Sequence, residues 1–402
     1  MPIARRRRQD PLSSTLGQRL DPRANSLNFL RLLLAMTVIV SHAWPLGDLG
    51  DEPLLAGRSP GGFAVYGFFA LSGYLITGSR LNSGLGDFLK RRLLRLYPAF
   101  VACLVMTVAV FAPLGYLKLN GTLDGYATTG TTPLDYLASS LDLRMNGSHI
   151  ANTPTNGHGW TVTLWSLYYE FLCYLVVAGL AFWPAFRRSW RVSAGLLTLV
   201  SLAQIYESTL RSYTGNADLL HMVDLLPFFL AGALAYQVRD RMASTWWTAA
   251  LSAALVVAVP LALGARFVVL TAFPMAWVLL WLGAVLPVRL GRKHDISYGF
   301  YLYSGPVQAL LWVFGVAEHG LAVYVILSIA GTVPFAAASW FLVERRAMRL
   351  GRRRPASLAA VPPHTVARAT AVRRAHPAVL PVVVPPRSPR DLAVIETGVS
   401  RR

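Results

Sequence analysis

Apolar residues gather into ten stretches between residues 27 and 343, separated by short segments that hold most of the charge. They run approximately over 27–46, 61–79, 97–116, 163–183, 192–206, 221–238, 246–262, 267–287, 296–316 and 321–343. Stretches of roughly twenty apolar residues match a helix crossing the ~30 Å hydrocarbon core of a bilayer. Backbone groups inside a bilayer must bond within their own segment or in a closed barrel. The pattern therefore predicts an all-α, polytopic transmembrane helix bundle of about ten spans. The fifth stretch is the shortest. The seventh and eighth are separated only by Gly264, Ala265 and Arg266.

The first stretch, LNFLRLLLAMTVIVSHAWPL, carries Arg31 near one end and His42 near the other. Eleven residues are about three turns, so both side chains fall on one stripe about 16 Å apart. Ionisable groups inside a membrane are costly and mark candidate sites. The plainer alternative is that Arg31 snorkels to one interface while His42 sits at the other.

Composition supports the membrane reading. Of 402 residues, 54% are hydrophobic and 14% charged, against about 25% charged in soluble domains; mean hydropathy is +0.45. The net charge of +19 does not point to nucleic acid, because the positives lie between spans and in both tails. With the N-terminus inside, Arg80, Lys90, Arg91, Arg92 and Arg95, then Arg187, Arg188 and Arg191, Arg239 and Arg241, and Arg289, Arg292 and Lys293 fall in cytoplasmic loops. Each inside loop is richer in Lys and Arg than its outside neighbours, which sets the orientation. A multi-pass protein of the plasma (inner) membrane with both termini cytoplasmic follows. The predicted divisions are a basic tail over 1–25, a membrane domain over 26–346 and a basic Pro/Ala-rich disordered tail over 347–402. Arg5 to Arg8 resemble a signal-peptide start, but the following segment reads as an uncleaved first span. The Gly-, Thr- and Asn-rich loop over 117–162 is long enough to cover a site; its sequons at Asn120 and Asn146 read as chance. Cys103 and Cys173 both lie in apolar stretches, which excludes a disulfide scaffold and a cysteine-rich metal site.

Further polar groups interrupt the pattern. Ser72-Gly73 lies mid-span, where close helix packing by small residues is the alternative to a site. In DFLKRRLLRLYPAF, Arg91, Arg92 and Arg95 share one helix face, either as a membrane-anchoring flank or as a clamp for a phosphorylated ligand. In TLWSLYYEFLCYL, Glu170 lies roughly 10 Å into the span and is a functional candidate by position; the alternative is a structural hydrogen bond. Ser72, Gly73, Trp165, Ser166 and Tyr169 are candidate lining residues. A Glu170–His42 pairing is geometrically permitted, and a carboxylate-oriented His suits general-base work on a hydroxyl. The motifs G-x-S-x-G, H-E-x-x-H and Walker A do not occur, and no metal site is expected.

These elements resemble the acyltransferase-3 family of integral-membrane acyltransferases. The resemblance covers roughly 26–346: Arg31 and His42, GFFALSGYLI at 67–76, KRRLLRLYPAF at 90–100, TLWSLYYEFL at 163–172, PFFLAGALAY at 227–236, ISYGFYLY at 296–303 and VERRAMR at 343–349 occur in family order. It implies transfer of an acyl group, commonly acetyl from acetyl-CoA as co-substrate, to a hydroxyl of a carbohydrate acceptor, with no permanently bound cofactor. By the same resemblance His42 would be the catalytic base, Arg31 would help hold the donor, Arg91, Arg92 and Arg95 would face the CoA phosphates, and Glu170 would belong to the polar core. One departure stands out: many relatives have His after ISYGFYLY, and this chain has Ser304. The alternatives are a transporter or flippase using Arg31, His42 and Glu170 as a path, although no internal repeat is evident, and a non-catalytic membrane scaffold.

Overall fold

The computed structural model describes residues 14–21, 24–145, 149–288, 290–291 and 294–351. Most of both tails, Asn146, Arg289, Arg292 and Lys293 lie outside the described residues. Ten long helices account for the ten apolar stretches: α1 (Leu27–Leu46), α2 (Pro60–Leu81), α3 (Leu85–Asn120), α4 (Val162–Leu180), α5 (Trp190–Ile205), α6 (Ala217–Val238), α7 (Trp246–Leu263), α8 (Ala265–Val285), α9 (Ser297–Val313) and α10 (Leu321–Leu350). Eight of these are long and apolar enough to cross a membrane; α5 and α9 are shorter. Among the described residues there is no strand, only isolated bridges.

Local chemistry sets several starts. Pro60 opens α2 after Ser59, whose hydroxyl accepts from the Gly62 amide, and Asn216 and Thr245 cap α6 and α7 in the same way. These side chains answer amides that a helix leaves unbonded at its first turn. The third span begins earlier than its hydropathy suggests. Its helix starts at Leu85, so the arginine cluster rides on the spanning helix itself.

Two glycines bring α2 and α6 into backbone contact. A Cβ on Gly73 would lie 1.9 Å from the Phe229 carbonyl oxygen, and one on Gly232 would lie 2.0 Å from that of Ala70. Gly73 is thus a packing residue at a helix crossing. Both α3 and α10 contain a widened π turn, at Thr107–Phe111 and Ser339–Glu344. The second turns Glu344 into the bundle, where it is buried.

Hydropathy alone places residues 14–21 in the tail. They instead dock on the bundle: Leu16 and Leu20 are buried, and the Gly17 amide donates to the Arg239 carbonyl at 3.0 Å. The two leucines, four residues apart in a single turn of helix, form one apolar face. The long loop after α3 is also packed down, with Tyr136, Ile150 and Trp160 buried.

Candidate active site

The polar groups form a column through the bundle with an arginine end, a middle and a histidine end. At the arginine end, Arg95 of α3 donates to Asp295 at 2.7 Å and to Glu344 of α10 at 2.5 Å. Arg31 of α1 reaches the same Asp295 oxygen at 3.3 Å. The hydroxyls of Ser297 and Ser339 donate to Asp295 and Glu344 at 2.6 and 3.0 Å. Burial would raise the Asp295 carboxyl, but Arg95 and then Arg31, with the Ser297 hydrogen bonds, hold it below the usual carboxylate range. Arg91 and Arg92 are half-buried and make no ion pair among the described residues. Four guanidiniums against two carboxylates leave a surplus of positive charge suited to an anion. The Nε of Arg92 is buried without a hydrogen-bond partner among the described residues.

In the middle, Glu170 accepts from Ser72 at 2.7 Å and from Tyr174 at 2.6 Å. It lines a narrow cavity of about 30 Å³ together with Arg31, Phe68, Ser166, Tyr298 and Tyr301. The Tyr301 hydroxyl donates to the Thr163 carbonyl at 2.5 Å and lies 2.9 Å from the Ser166 hydroxyl. This cavity joins Arg31 to the interior of the bundle.

At the other end, His42 is half-buried near the end of α1. The acidic group acting on it is Glu52, from the loop after α1, with His158 beside it. Glu52 accepts from the Ser41 hydroxyl at 2.5 Å, and Ser41 in turn accepts from the Gly61 amide at 2.9 Å. A carboxylate held in this way favours the protonated form of a nearby imidazole, although no hydrogen bond or ion pair within 4.0 Å joins Glu52 to His42 among the described residues. His149, in the covering loop, is held below the usual histidine range by burial and by His158.

Sequence reasoning collected the right helices but not every partner. The structure brings together Arg31, Arg95, Ser72, Ser166 and Glu170 along the column. It does not join Glu170 to His42, whose carboxylate neighbour is Glu52. Trp165 and Tyr169 turn toward α6: Tyr169 donates to Asp218 at 2.9 Å, and Trp165 packs on His221 with ring centres 5.0 Å apart. The hydroxyl of Ser304 donates to the Tyr301 carbonyl at 2.9 Å, so it is engaged with its own helix. Among the described residues no group of three His, Cys, Asp or Glu side chains could hold a metal ion.

Asp295, Glu344 and Glu52 escaped the sequence reading. Glu344 had a usable signal, since an acid closing an apolar helix is as conspicuous as Glu170. Glu52 had none, because a loop carboxylate is unremarkable until the chain folds back on Ser41.

Residues 24–341 match the family model described as an acyltransferase domain, acyltransferase-3. The chain belongs to the acyltransferase-3 family. This acyltransferase is 28% identical over 340 residues to an O-acetyl transferase of Shigella phage Sf6, covering 81% of this chain and 96% of that protein. It is 30% identical over 359 residues to nodulation protein 10 of Rhizobium leguminosarum bv. viciae, covering 81% of this chain and 94% of that one. A third relative, protein 2 in the picA locus of Rhizobium radiobacter, is 32% identical over 139 residues, covering 30% of this chain and 68% of that protein. No solved structure matches the chain. The acyltransferase is thus a multi-pass membrane enzyme that transfers acyl groups to oxygen.

Proposed function

We propose that this acyltransferase takes an acetyl group from acyl-CoA on the cytoplasmic side and places it on a hydroxyl of an extracytoplasmic or lipid-linked carbohydrate. It would sit in the plasma (inner) membrane with both termini cytoplasmic. The observation that carries the reading is the set of polar groups placed along α1. Surplus arginine charge lies at one end, His42 near Glu52 lies at the other, and a small cavity lined by Arg31 and Glu170 lies next to the arginine end. Arginines suit the phosphates of CoA. His42 would take the proton of the acceptor hydroxyl while its oxygen attacks the thioester carbonyl. The new C–O bond forms, the C–S bond breaks, and the thiol leaves with the proton held by the imidazole. The negative charge of Glu52 would favour the protonated ring during this exchange. That the phage relative is an O-acetyl transferase supports acetyl as the group moved.

The test is transfer from labelled acetyl-CoA to surface glycans in membranes containing the protein. His42→Ala is expected to lose at least ~100-fold in kcat with membrane insertion intact; full activity would refute the reading. Replacing Arg91 and Arg92 is expected to raise the KM for the donor more than for the acceptor. Arg95 is a poorer probe, because its removal strands two carboxylates.

A further inference from the structure

Helix α9 turns one polar face along the column. Ser297, Tyr301, Gly305 and Gln308 recur at three- and four-residue steps, so they share a side of the helix, with Tyr298 at its edge. Ser297, Tyr298 and Tyr301 line the cavity. At the far end Gln308 is fully buried, and its amide nitrogen donates to the Ile39 carbonyl of α1 at 3.0 Å. A carbonyl can receive only an N–H, so this bond sets which end of the side-chain amide is which. Among the described residues the Gln308 Oε1 has no hydrogen-bond partner. The Thr163 hydroxyl, on a residue only 3% exposed, has none among them either. It lies against Gly305, where a Cβ would come within 2.9 Å of its oxygen. Gly305 and Gln308, three residues apart, are neighbours on the helix face.

The buried acceptor belongs to Gln308 and the buried hydroxyl lies against Gly305, one helical turn earlier on the same face of α9. Each is costly while unanswered. A group offering an N–H and a carbonyl on adjacent atoms, a secondary amide, answers both. The height is also informative. Ile39 lies one turn before His42 on α1, about 4.5 Å along the axis. In an acyl-pantetheine the amide nearest the sulfur is separated from it by two methylene carbons, a span comparable with one helical turn.

We infer that Gln308 and Thr163 form a subsite for the amide of the pantetheine arm nearest the thioester. Its N–H donates to Gln308 Oε1, and its carbonyl accepts from the Thr163 hydroxyl. This contact sets the thioester at the height of His42. The inference rests on acyl-CoA as the donor, and its test separates the two.

The full-length protein in nanodiscs is given acetyl-CoA, or an analogue in which that amide N–H is replaced by an ester oxygen. The wild-type enzyme is expected to lose about tenfold in kcat/KM with the analogue, the worth of one hydrogen bond. In Gln308→Met the two donors should become equivalent within about twofold. A tenfold preference retained by Gln308→Met overturns the subsite, as does a fall in thermal stability with the preference unchanged, which would mean that a fixed water joins the two groups. Should Gln308→Met not fold, Thr163→Val is expected to raise the KM for acetyl-CoA about tenfold with the acceptor KM unmoved, and Thr163→Ser to restore it. An unchanged donor KM in Thr163→Val overturns the subsite. Absence of transfer from acetyl-CoA by the wild-type protein refutes the donor and the subsite together, whereas transfer without discrimination refutes only the subsite.

Discussion

Helix α7 leaves Leu251 and Leu261 63% and 60% exposed, with Trp246, Trp247 and Val257 also half open or more. Helix α9 hides every residue from Ser297 to Ala309, including Tyr298, Tyr301, Tyr303, Ser304 and Gln308. In water the first helix would be an aggregation hazard, and the second would be an odd choice of residues for a core. In a bilayer both make sense. Lipid tails solvate leucine as well as another helix does, so the apolar helix gains little by burial. The polar groups of α9 must find partners inside the protein. A helix with almost no polar side chains therefore stands at the edge, and a helix full of hydroxyls stands at the centre, beside the column it helps to build.

The contrast can be broken from the inside first. Gly73→Val would drive methyls into the Phe229 carbonyl, where even a bare Cβ would sit 1.9 Å away. The expected cost is at or beyond the upper end of the ~1–3 kcal/mol typical of overpacking. It should read as loss of monodisperse protein on gel filtration in detergent.

Asp295→Asn comes next. It removes the charge shared by Arg31 and Arg95, at a cost of ~3 kcal/mol, measured as a fall in unfolding temperature at pH 7. The folded Asp295 carboxyl lies below its ordinary value. Its contribution is therefore complete above ~3.9 and disappears as pH falls through the lower folded value. The wild-type and Asn proteins should converge in stability only below about pH 4.

Tyr301→Phe deletes the bonds to Ser166 and the Thr163 carbonyl, and ~1–2 kcal/mol should be lost, visible in the same melt. At the far end of the scale, Leu251→Ala in α7 should stay within about 0.5 kcal/mol of wild type. A large effect there would show that α7 faces a partner and not lipid.

This comparison also explains what could be read before the structure was known. Ten apolar stretches were legible because the length needed to cross a bilayer is written directly as a run of residues. Arg31, His42 and Glu170 stood out because an ionisable group within such a run is costly and needs a partner or an interface. Their partners were not. Asp295 lies 264 positions from Arg31, and Glu344 lies 249 from Arg95; no local pattern links sites so far apart. The expected pairing of Glu170 with His42 rested on equal depth, and depth does not say which helices are neighbours. The centrality of α9 was hidden for a related reason, since hydropathy grades a helix by its fitness for lipid and this helix meets none of it along most of its length. The docked Leu16 and Leu20 were too short a signal against a basic flank.

The widened turn at Ser339–Glu344 has its own consequence. A π turn holds one residue more than the α turn it replaces, so a residue removed among 339–343 can be taken up by closing the turn to an ordinary α turn. Glu344 and everything after it would then keep their angle on α10 and their place against Arg95. The same deletion in a regular stretch of α10 would rotate all that follows by ~100° and swing Glu344 away from Arg95. The widened turn thus acts as slack, absorbing a lost residue that a regular turn would pass on as a change of angle.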